Sequence, residues 1–95
     1  MGKFKRQFVD FFGLSPEIAM DLPLIMMVGD GQIYLENHKG ISHFKDVEIK
    51  VKINQGFLVF TGEKLIVEEI NNESISISGR IHSLTYETRF WGDGS

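Results

Sequence analysis

Two periodicities divide the chain. Near its start Phe4, Phe8, Phe11 and Phe12 recur at i, i+4, i+7 and i+8, which is one stripe of an α-helix. Lys3, Lys5, Arg6, Gln7 and Asp10 fill the other positions, and Gly13 supplies a left-handed stop. Ser15-Pro16-Glu17 then reads as an N-cap, a first-turn proline and an acidic first turn. This second helix must be short, because Pro23 forces Leu22 toward extended geometry.

From Pro23 onward the period is two. Leu24 to Val28 is a continuous apolar run and predicts a buried strand. Gly29-Asp30-Gly31 predicts a tight turn into Gln32–Asn37, and His38-Lys39-Gly40 turns the chain into a weaker strand, Ile41–Lys45. Val47, Ile49, Val51 and Ile53 alternate with Glu48, Lys50, Lys52 and Asn54, so that strand has one wet face. Its outward Lys50 and Lys52 read as edge protection. Phe57–Thr61 is apolar on both faces and predicts a central strand. Gly62-Glu63 predicts a turn into Lys64–Ile70, and Asn71-Asn72-Glu73 a turn into Ser74–Glu87. In the last segment Ile75, Ile77 and Ile81 share one parity, whereas Leu84 and Tyr86 take the other. A bulge or break near His82-Ser83 would keep them on one face. Gly79, in phase with the isoleucines, marks a close backbone approach.

These segments predict a mainly β domain: about eight short antiparallel strands in a small barrel, roll or sandwich, with one or two N-terminal helices. The expected organisation is a helical segment over 1–22, a β domain over 23–89 and a flexible tail over 90–95.

Composition supports that class. The chain has eleven Ile and six Val but a single Ala, Ala19. At 95 residues it suits one domain with a small core, and the absence of cysteine leaves packing or assembly to hold it. A net charge of −3 argues against a general nucleic-acid binder. No apolar run nears the roughly 20 residues that span a bilayer.

Reaction chemistry finds little support. The serines lack a nucleophile-elbow setting, and Glu68 and Glu69 point to opposite faces of a strand, so no acid–base pair forms. No enzyme, cofactor or metal is expected. A ligand- or metal-binding module using Asp30, His38 and His43 is the alternative. Glu36, Asn37, His38 and Lys39 form the densest polar cluster, either a binding loop or, more simply, a turn built on residues that tolerate positive φ. The sharper candidate is the aromatic stripe Phe4, Phe8, Phe11 and Phe12 with Lys3, Lys5 and Arg6 as its cationic fringe. It would cover the β core, dock on a partner, or lie on an anionic membrane through residues 3–12, each cation adding ~1 kcal/mol at best. Open sheet edges offer a second route, to homo-oligomers or strand addition.

Ala19-Met20-Asp21-Leu22-Pro23, Gly29 and Ile33-Tyr34-Leu35-Glu36-Asn37-His38-Lys39-Gly40-Ile41 resemble, in order and spacing, the YqfC branch of the YabP/YqfC family of sporulation proteins. Gly56-Phe57-Leu58, Gly62 and Ser78-Gly79-Arg80-Ile81 fit the same pattern. The resemblance covers most of the chain but not the stretch after Glu87. It implies a small soluble factor of endospore formation in the mother-cell cytoplasm, associated with an integral-membrane sporulation protein of the YqfD type. It brings no catalytic residue.

Overall fold

The computed structural model describes residues 2–88. Two helices, α1 (Lys3–Phe12) and α2 (Pro16–Ala19), precede six strands: β1 (Leu24–Val28), β2 (Gln32–Glu36), β3 (Ile41–Lys45), β4 (Glu48–Ile53), β5 (Gly56–Ile70) and β6 (Ser74–Thr88). They form one antiparallel sheet in the order β1-β2-β6-β5-β4-β3. The mainly β expectation holds, with six strands instead of eight and an open sheet instead of a closed barrel. The expected tail over 90–95 lies outside the described residues.

The strand count falls because two predicted interruptions are bulges. Gly62-Glu63 does not turn the chain; β5 runs through it, with register shifts at Thr61/Gly62 and Glu63/Ile66 and a positive φ at Lys64. A side chain on Gly62 would collide with the carbonyl oxygen of Arg80 across the ladder, so this glycine serves a close approach. The predicted irregularity at His82 is present: Thr61 faces Ser83 and Gly62 faces Ile81, which leaves His82 as the extra residue. Gly79 lies at the same bend with φ +136°, where a Cβ would sit 2.6 Å from the Lys64 carbonyl oxygen.

The β5–β6 hairpin is the spine. Its two halves serve different neighbours: β4 pairs with Gly56–Thr61 and β2 with Ser74–Ser78. Turns brace the bend from both sides. The Gly62 and Leu65 amides donate to the Val47 and Asp46 carbonyls at 3.0 and 2.8 Å. The Gly79 and Ile81 amides donate to Gly31 and Asp30 at 3.2 and 2.8 Å. Bending lets both halves share one core of Ile33, Leu35, Ile49, Val51, Ile53, Leu58, Phe60, Leu65, Ile75, Ile77 and Ile81. Each such side chain contributes about 1.5–3 kcal/mol of burial.

Two strand assignments are corrected. β4 is internal, between β5 and β3, so Lys50 and Lys52 do not guard an edge. Lys50 instead lies 4.6 Å from the Phe57 ring centroid and 3.5 Å from Glu87. β1, predicted to be buried, is an edge strand with Met27 and Val28 exposed.

Candidate interaction site

An α-helix begins with backbone N–H groups that lack partners. Gly2, the N-cap of α1, has no side chain to cap them. Glu36, at the end of β2, does so from across the fold: the Phe4 amide donates to Oε2 at 2.9 Å and the Lys5 amide to Oε1 at 2.7 Å. The Tyr34 hydroxyl donates to Oε2 at 2.8 Å. A carboxylate accepting three donors beside the positive end of a helix dipole is a strong tether. Gly2 is needed there, because a Cβ would stand 2.5 Å from Glu36 Oε1. Burial, followed by the bond to Glu36, pushes the Tyr34 hydroxyl above its ordinary pKa.

This tether decides which face of α1 looks out. Lys5 and Val9 are buried, and Phe4 sets its ring edge-on to Tyr34 at 5.4 Å. Lys5 is therefore not part of an exposed cationic fringe. Burial pulls its ammonium below the ordinary pKa, against Asp21, Glu36 and Glu73, which favour the charge. Lys3 and Arg6 are exposed, Lys3 Nζ lying 5.2 Å from the Phe4 ring centroid. The rest of the stripe points away from the core: Phe8, Phe11 and Phe12 are 37%, 80% and 63% exposed. Phe12 stacks on Phe8 and meets Phe11 edge to face, with centroids 6.1 and 4.9 Å apart. Packing of this stripe over the β core is thus not what the structure shows. Gly13 ends the helix in the left-handed region, and the Leu14 amide bonds back to Val9 at 3.0 Å. Leu14, Met20 and Leu22 are further exposed apolar residues of the helical segment, missed from the sequence because no helical period marks them.

Glu36, Asn37, His38 and Lys39 act together as a junction of the chain. Asn37, with φ +70°, donates from Nδ2 to the Met20 and Leu22 carbonyls, both at 2.9 Å. His38 accepts the Gly40 amide at Nδ1 (2.9 Å), so its proton is on Nε2, which donates to the Asn71 carbonyl at 2.7 Å. The Lys39 amide donates to the Lys52 carbonyl at 2.7 Å.

Asp30, His38 and His43 are not brought together. Asp30 belongs to the β1–β2 turn, His38 is held as described, and His43 pairs with Glu48 across β3 and β4 at 3.5 Å. Among the described residues no group of three or more metal-ligating side chains converges. Among them, too, no helix is long and apolar enough to cross a membrane.

The profile of the YabP family matches residues 22–90. A protein of Bacillus subtilis (strain 168) described as "Uncharacterized protein YqfC" is 36% identical over 73 residues, covering 77% of this chain and 78% of that protein. The matched region includes the Glu36–Gly40 junction and all six strands, so the resemblance read from those residues is established: the chain belongs to the YabP family.

Proposed function

We propose that this protein is a non-enzymatic sporulation factor that works by contact, presenting the outer face of α1 to an integral-membrane sporulation protein of the YqfD type. The observation that carries this is the orientation of α1. Its helix is fixed by Glu36 at one end while Phe8, Phe11 and Phe12 stay in solvent at the other. Exposed aromatic clusters on a soluble surface mark docking sites, and a rigid helix loses little entropy when it docks. Exposed Lys3 and Arg6 suit a site beside an anionic bilayer. The protein then acts in the mother-cell cytoplasm, peripheral to the membrane that holds its partner.

The test is flotation with liposomes that carry a purified YqfD-type protein. The wild-type chain should co-float with them and a Phe11→Asp, Phe12→Asp variant should stay behind with its fold intact. Equal recovery of both would refute the assignment of this surface.

A further inference from the structure

We propose that β1 is the pairing strand of a two-fold dimer, in which Leu24–Val28 of one copy forms an antiparallel ladder with Leu24–Val28 of a second copy, centred on Met26. Among the described residues, β1 is hydrogen-bonded to β2 on one side only. All five of its residues are apolar. Ile25 and Met27 lie opposite Leu35 and Ile33 on the core face, while Leu24, Met26 and Val28 lie opposite Glu36, Tyr34 and Gln32 on the other. An apolar edge strand with no charge, proline or bulge offers its unpaired N–H and C=O groups as a template for another strand.

Among the described residues, every other free edge of the sheet is guarded. β3 has a register shift between Ile41 and His43 and carries Lys45. The stretch of β5 beyond its pairing with β4 carries Glu63, Lys64, Glu68 and Glu69 and further register shifts. The free end of β6 carries His82 and Glu87 and the bulge at His82. Such charges and bulges prevent edge pairing. Among the described strand edges, β1 alone has neither.

A second copy fits because the strand complements itself. A two-fold axis normal to the sheet places residues of equal parity opposite one another. Centred on Met26, it sets Leu24 against Val28 and Ile25 against Met27 of the other copy, with Met26 on the axis. Each pair off the axis joins a half-buried residue to an exposed one: Val28 is 72% and Met27 44% exposed, whereas Leu24 and Ile25 are sheltered. Pro23, which has no N–H, and Gly29, with φ +56°, end the ladder and fall opposite each other. Met26 and Val28 also wall a shallow depression of about 520 Å³ with Tyr34 and Glu68, so their side chains face open space. Five residue pairs bury less than a standard interface of about 1,600 Å², so dimerisation depends on concentration.

The chain has no cysteine, which makes crosslinking clean. Sedimentation of the full chain should show a monomer–dimer equilibrium. Met26→Lys, which sets like charges face to face on the axis, should weaken it by at least about tenfold while circular dichroism stays unchanged. Met26→Cys should give a covalent dimer with a short bismaleimide, and Thr85→Cys on the free end of β6 should not. A chain monomeric at all concentrations, or crosslinking at Thr85 without crosslinking at Met26, would overturn the proposal. Neither outcome bears on the α1 surface.

Discussion

Replacing Glu36 with Gln removes the charge from the α1 tether and little else. The amide keeps one acceptor oxygen, but its NH₂ group then faces an N–H or O–H donor where Oε1 or Oε2 accepted. Hydrogen bonds to charged groups are worth about 1.5–3 kcal/mol, and loss of an N-cap about 1 kcal/mol. Part of that is regained as water reaches the helix end, so the expected net loss is about 1–2 kcal/mol. For a domain of this size each kcal/mol corresponds to about 4–8 °C in Tm. Glu36→Ala should go further: α1 undocks, helical signal falls, and the sheet persists because its core is separate from the helix. Amide exchange by NMR reads the mechanism directly. The Phe4 and Lys5 amides should lose about tenfold protection for each 1.4 kcal/mol in the Gln variant, while Ile77 and Phe60 fall only with global stability. Unchanged protection at Phe4 and Lys5, together with an unchanged Tm, would refute the tether.

Three further outcomes follow from the same geometry. The pKa of Tyr34 lies above its ordinary value of 10.0, so the folded chain keeps a proton that the unfolded chain loses. That contribution is complete below pH 10 and is lost as pH climbs through the folded value; Tyr34→Phe should flatten this alkaline decline in a Tm–pH series. For Lys5 the shift is downward, so its burial penalty is full at neutral pH and fades as pH rises toward 10.5. Lys5→Met should therefore raise Tm at pH 7, and the gain should shrink as pH rises toward 10.5. Gly79→Ala combines φ +136° with a backbone clash at 2.6 Å and should cost at least about 2 kcal/mol in urea unfolding.

Much of the sheet was legible because period-two alternation is a local signal: Ile49, Val51 and Ile53 face the core, although Val47, in phase with them, lies in the turn before β4 and is exposed, and the parity change between Ile81 and Leu84 required the bulge at His82. Gly13 and Pro16 likewise end α1 and begin α2 as helix chemistry dictates. Gly62 misled, because a glycine demanded by a neighbouring backbone looks in sequence like one demanded by a turn. The orientation of α1 was not legible at all. An aromatic stripe normally turns inward, but here a carboxylate more than thirty residues away fixes the helix end and draws Lys5 and Val9 inward instead. Such a contact has no local pattern, so the candidate stripe was found while its exposure was not. The apolar run Leu24–Val28 predicts a buried strand, and its edge position is the mismatch behind the inferred dimer.

The central claim is that the outward aromatic face of α1, and not the Glu36–Gly40 junction, is the binding surface. Titrating a YqfD-type partner in nanodiscs against wild type, Phe12→Asp and Lys39→Glu tests it most directly, since Phe12 and Lys39 are both exposed. The account predicts that Phe12→Asp weakens binding at least about thirtyfold, as loss of an aromatic anchor does, and that Lys39→Glu stays within about threefold of wild type. The reverse order, or equal affinities for all three chains, would contradict it.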